Sequence, residues 1–131
     1  MKLLMTLLAL VSSFTVAAAA PKMCPAGTKE VLSCVSQSSI PLYPFVSTCG
    51  TQSGESLIVM SVGAGRSPDI MKADKVESES TIIYTATEED TDNLTLTYIK
   101  GEVGPKKTNG VLTYKIFMGE FEDDFHCKIS Q

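Results

Sequence analysis

The sequence predicts an all-β fold: a small antiparallel up-and-down meander barrel of about eight strands, stapled by disulfides. Three observations carry that expectation. Beyond residue 22 no stretch sustains the 3.6-residue apolar period of a helix, whereas strand-like runs recur about every 8–14 residues. The links between the runs are short and rich in glycine, asparagine and acidic residues. All four cysteines, Cys24, Cys34, Cys49 and Cys127, follow an N-terminal segment built like an export signal.

In that segment Lys2 supplies the positive charge, Leu3 to Val11 the apolar stretch and Ala17 to Ala20 the small-residue exit. Residues 1–20 are therefore expected to be a signal peptide, cut after Ala19 or Ala20, and residues 21–131 a single domain. Thr6, Ser12, Ser13 and Thr15 interrupt the apolar run and argue against a retained anchor, so no stable membrane insertion is expected after cleavage. Pro21 and Met23 ahead of Cys24 do not form a lipidation site. Roughly 110 residues bury only a limited core, a physical reason for covalent bridges. A secreted or periplasmic address supplies the oxidising surroundings in which bridges persist.

The expected strands are 29–35, 44–49, 56–62, 69–76, 80–87, 93–100, 110–118 and 125–130. Pro68-Asp69 makes the fourth the weakest, because that pair also suits a helix start. The last four alternate with period two. Ile82, Tyr84 and Ala86 share one face, as do Leu94, Leu96 and Tyr98. Leu112, Tyr114, Ile116 and Met118 form the next set, and Phe125, Cys127 and Ile129 the last. These faces are assigned to the interior. Gly50 to Gly54, Gly63 to Pro68, Gly101 to Gly110 and Gly119 to Asp124 read as turns, with Asn109-Gly110 a strong positive-φ pair. Closing strand eight onto strand one removes the exposed edges.

This topology constrains the cysteines. A hairpin centred near residue 40 sets Cys34 opposite roughly residue 46, out of register with Cys49. Closure makes the first and last strands neighbours, which favours Cys34–Cys127. Cys24 and Cys49 then meet at the opposite end of the barrel.

Chemistry is sparse. The chain has one histidine, His126, expected on an outward face, and no serine stands in a nucleophile-elbow setting. Cysteines held in bridges serve neither as nucleophiles nor as zinc ligands. No catalytic residue, cofactor or metal site is assigned, and no enzyme activity is expected. Gly63-Ala64-Gly65-Arg66 lacks a phosphate-loop pattern. Asn93-Leu94-Thr95 matches a glycosylation site at a strand start. The net charge of −4, with basic residues scattered apart from Lys106-Lys107, excludes the footprint of a nucleic-acid binder.

Two acidic clusters stand out: Glu88, Glu89, Asp90 and Asp92, and Glu120, Glu122, Asp123 and Asp124. As turns at one end of a meander they would rim one opening; they read as solvated turns that keep a small protein soluble, as a dock for a cationic protein partner or, without EF-hand spacing, as a calcium site. The loop Ser36 to Pro44 brings Ile40, Leu42 and Tyr43 to that end as a plug, lid or contact patch. Tyr84, Tyr98 and Tyr114 fall at inward positions on three consecutive strands; they read first as packing of a filled core and otherwise as candidate cavity-lining residues for a small apolar ligand.

The layout of signal peptide, early and late cysteines and small β-meander resembles that of periplasmic lysozyme inhibitors and, more distantly, lipocalins. The resemblance is one of architecture: the chain has neither the Ser-Gly-x-x-Tyr loop of the former nor the Gly-x-Trp start of the latter. It transfers no site residues. The functional expectation is thus an exported, non-catalytic binding protein, inhibitor-like or serving the envelope, whose acidic barrel end docks a cationic protein. A ligand-carrying barrel is the alternative, and a hydrolase stands well behind.

Overall fold

The computed structural model describes residues 22–63, 66–87, 94–101, 108–116 and 119–130. The expected signal peptide, the acidic residues Glu88, Glu89, Asp90 and Asp92, Asn93 of the glycosylation match, and Lys106-Lys107 lie outside them. Among the described residues there are eight strands and no helix: β1 Lys29–Ser36, β2 Phe45–Gly50, β3 Ser56–Met60, β4 Asp69–Glu77, β5 Thr81–Ala86, β6 Thr95–Ile99, β7 Gly110–Ile116 and β8 Gly119–Ile129. Each pairs antiparallel with its neighbour in sequence, and β8 returns to β1, so the barrel is closed. The expected fold class holds, including β4, where Pro68-Asp69 opens a strand rather than a helix.

Alternation fills the interior. Leu32, Cys34, Val46, Ile58, Met60, Ile82, Tyr84, Leu96, Leu112 and Phe125 are buried there. Burying one such aliphatic or aromatic side chain contributes about 1.5–3 kcal/mol, so these rows of large side chains are the main non-covalent support of the barrel. Ile129 follows the inward period but is 55% exposed, because β8 runs out past its pairing with Leu32. A bulge between Glu30 and Leu32 breaks the β1–β2 register; the buried Leu32 amide then donates to the Thr48 hydroxyl at 3.2 Å, which satisfies both groups.

Both expected disulfides are present. Cys34 stands opposite Val46 across β1–β2 and opposite Cys127 across β1–β8, and Cys34–Cys127 closes the barrel seam. Cys24–Cys49 ties residues 22–28, the N-terminal arm, to the outer side of β2. Two bridges and no free cysteine are consistent with an oxidising extracellular or periplasmic environment.

Two expectations about turns are corrected. Residues 119–124 do not form a turn: they are the first half of β8, paired with β7 from Val111↔Asp124 to Ile116↔Gly119. Carboxylates disfavour strands on average, but here Glu120, Glu122 and Asp124 project from the outer, solvated face, where a charge costs little. Nor is Asn109-Gly110 a positive-φ turn. The positive-φ glycines among the described residues are Gly27, Gly54, Gly63 and Gly101, while Gly110 opens β7. The Asn109 side chain is buried and acts as an extra rung of the β7–β8 ladder. Its Nδ2 donates to the Cys127 carbonyl at 2.9 Å, and its Oδ1 accepts the Cys127 amide at 2.6 Å. A Cβ at position 110 would stand 2.6 Å from Cys127 Sγ, so glycine there makes room for the seam disulfide.

Candidate functional site

The strand order sorts the barrel into two ends. The arm, the turn 51–55, the turn 78–80, the end of β6 and the start of β7 gather at one end. Strands β1, β3, β5 and β7 end at the other, hereafter the mouth. The first end is tied by Cys24–Cys49, the Asn109 rung, and Lys100, whose ammonium donates to Glu77 at 2.7 Å and to the Ser78 carbonyl at 2.8 Å. Those contacts hold the Glu77 carboxyl below its usual range, through the hydrogen bond and charge of Lys100 and then the nearby Lys75.

The mouth is built differently. The β7–β8 hairpin overshoots β1: the β1–β8 ladder stops at Ser36↔Phe125, whereas β8 continues back to Gly119. The inner face of this overhang carries Tyr114, Phe121 and Asp123. Tyr114 and Phe121 are cross-strand partners and stack with centroids 5.7 Å apart. From the loop 37–44, Tyr43 meets Tyr114 edge to face at 5.5 Å. Such aromatic contacts contribute about 0.5–1.5 kcal/mol each beyond area burial. The Tyr114 hydroxyl donates to Asp123 Oδ2 at 3.1 Å. Burial, that hydrogen bond, and the charges of Asp123 and Tyr43 push the Tyr114 phenol up to about 12. The Tyr43 phenol is also raised, first by burial and then by the Asp69 carboxylate.

In the loop that carries Tyr43, and on the overhang, apolar groups remain open to solvent. Ile40 is 90% exposed, Leu42 49% and Phe121 48%. The loop carrying the first two leaves the sheet where Pro41 and Pro44 remove amide donors, after a last bond from the Gln37 amide to the Asp124 carbonyl. On the outer face of the overhang, Glu120, Glu122 and Asp124 form a stripe with period two.

The structure thus separates residues that the sequence reading grouped. Of the second acidic cluster, Asp123 alone faces inward; Glu120, Glu122 and Asp124 flank the mouth on the outside and do not rim it. The three tyrosines are all buried but occupy different rows of the barrel. Tyr98 pairs with Ile82 and Gly110 towards the arm end, Tyr84 pairs with Leu96 in the middle, and Tyr114 lies at the mouth. Among the described residues, Tyr114 alone of the three joins other aromatics. The Tyr84 hydroxyl is buried with no hydrogen-bond partner among the described residues. His126 takes the outer face of β8, opposite Val35. Phe121, central to the mouth, was hidden between the carboxylates of an apparent turn; the signal that reveals it is the period-two run Phe121, Asp123, Phe125, Cys127.

Elsewhere, a groove of ≈ 480 Å³ opens where β3 begins beside β4, lined by Gly54, Glu55, Lys72, Asp74, Lys75 and Thr87 among others. Among the described residues no three His, Cys, Asp or Glu side chains gather in a metal-binding group. No family model, curated protein or solved structure matches this chain.

Proposed function

We propose that the protein is an exported, non-catalytic binding protein whose mouth docks a cationic protein partner. The observation that carries this reading is the half-open aromatic group Tyr43–Tyr114–Phe121, with Ile40 and Leu42 exposed in the loop that carries Tyr43, Asp123 bonded to Tyr114, and Glu120, Glu122 and Asp124 on the outer face of the same strand. An exposed apolar centre with a charged border is the anatomy of a contact surface. Its acidic border selects for basic partners and speeds encounter. The N-terminal segment and the two disulfides support an address outside the cytosol.

The test is retention of envelope or extracellular proteins on the immobilised, oxidised protein, followed by binding of each purified hit. A mouth-binding partner is basic, dissociates as salt rises, because exposed charges are screened beyond about 8 Å, and is lost on Phe121→Ala. Retention indifferent to both salt and Phe121→Ala counts against the proposal.

One observation favours a second reading, the carrier barrel: the buried Tyr84 hydroxyl without a partner, a group that a ligand with a polar atom would satisfy. Native mass spectrometry of the protein from its natural source separates the two. A retained small molecule, lost on Tyr84→Phe, supports the carrier.

A further inference from the structure

The overhang leaves an unfinished sheet. Asp124 turns its carbonyl towards β1, where it accepts the Gln37 amide at 2.9 Å, and Phe125 turns its carbonyl the other way, accepting the Asn109 amide at 3.0 Å. Backbone direction alternates along an antiparallel strand. The N–H and C=O groups of Glu120 and Glu122 therefore aim at the side β1 has vacated, and among the described residues no group bonds them there. A row of unpaired amides beside an apolar cluster is a template for another strand.

We infer that the β8 edge over Gly119–Asp123 is a strand-addition site, and that its occupant is an extended, lysine- or arginine-bearing segment of the partner. This rests on the binding function proposed above and specifies how the partner is held. A strand laid there takes up the line of β1. Its inward side chains reach Phe121 and Asp123, and its outward side chains stand beside Glu120 and Glu122, within the 4.5–5.5 Å cross-strand spacing. Apolar residues suit the first face and basic residues the second. That alternation also argues against a second copy of this chain as occupant: edge-to-edge pairing would bring the same two glutamates together, and like charges directly opposite are unfavourable. The carboxylates thus repel self-pairing and attract a cationic strand.

The probe is a synthetic peptide alternating lysine and valine, titrated into the oxidised full domain by fluorescence anisotropy at low salt. A matched peptide is methylated at the backbone nitrogens of alternate residues, which removes the edge hydrogen bonds and keeps the charge. The inference expects the parent peptide to bind and the methylated one to lose about tenfold or more. It also expects the Glu120 and Glu122 amides to gain hydrogen-exchange protection on binding. Glu120→Lys with Glu122→Lys should abolish binding, while Glu55→Lys at the arm end should leave it unchanged. Both sites are exposed, and circular dichroism checks that each variant stays folded. Equal binding of the two peptides, still sensitive to Phe121→Ala, overturns strand addition and leaves mouth docking standing. If no cationic peptide or protein binds, both ideas fail. Concentration-dependent dimerisation that protects the same two amides overturns the choice of occupant.

Discussion

The two ends of the barrel use their polar groups in opposite ways. At the arm end they are spent inside the molecule. Asn109 bonds both backbone groups of Cys127, Lys100 holds Glu77 and the Ser78 carbonyl, and Cys24–Cys49 fixes the arm. At the mouth, Glu120 and Glu122 have, among the described residues, no partner for their side chains or for the backbone groups on the side β1 has vacated, and Phe121 is half exposed. The arm end behaves as a foundation, and the mouth is left with groups that a partner can use. On the proposed binding function, stability and recognition are divided along the barrel axis, a division that mutation tests directly.

The largest expected effect comes from the seam between the ends. Replacing Cys34 and Cys127 together with alanine removes a bridge spanning a sequence separation of 93, and denaturant unfolding should show a loss of about 4–5 kcal/mol in the chain-entropy account. Removing Cys24 and Cys49 releases a shorter loop, of separation 25, and should cost less, about 3.5 kcal/mol. If the division is real, the second variant still binds the lysine–valine peptide at the mouth. Loss of binding on cutting the arm alone would break it.

Asn109→Ala comes next. It strands the buried amide and carbonyl of Cys127, at a cost of about 2–3 kcal/mol in unfolding free energy, again with the mouth unaffected.

Alkaline pH addresses the mouth itself. The Tyr114 phenol is raised to about 12 in the folded protein, above the ordinary value of about 10. The unfolded chain therefore ionises first. The contribution of Tyr114 is whole below pH 10 and is lost as pH rises through about 12. Ultraviolet titration of the phenolates should show a late component that moves to lower pH on Asp123→Asn, since that change removes the carboxylate opposing ionisation.

Tyr84→Phe is the smallest and has the opposite sign. Deleting a buried hydroxyl that has no partner among the described residues should stabilise the barrel by about 1 kcal/mol, seen as a higher melting temperature. A loss of stability instead would mean that the hydroxyl is satisfied in solution, which sharpens the case for an occupant.

Much of the stapled half was legible in the sequence because its determinants are local and periodic. Ile82, Tyr84 and Leu96, Tyr98 declare their faces by alternation, and the distance of Cys34 from the turn near residue 40 rules out Cys49 by register. The mouth was less legible. Glu120, Glu122, Asp123 and Asp124 carry turn-like composition, and only the availability of β7 as a partner makes them a strand. Asn109-Gly110 misled for a related reason: the pair that favours a tight turn is used here for a side-chain rung and for clearance beside sulfur. The tyrosines fell on the expected face, but their height along the axis depends on stagger between strands, which no single strand encodes. Tyr43 was noted in its loop, yet its contact with Tyr114 depends on how the chain folds back after Pro41.

The seam disulfide also sets an order of events. Synthesis runs from the N-terminus, so Cys24, Cys34 and Cys49 all exist before Cys127 does. Cys24 and Cys49 can find each other once β1 and β2 are made, but Cys34 has no native partner until the last strand arrives. An oxidant acting early meets a lone thiol with a wrong neighbour at hand in Cys49, and any such link must be undone before the barrel closes. Cys34–Cys127 is for this reason a covalent record of completion: a molecule carrying it has brought its first and last strands together.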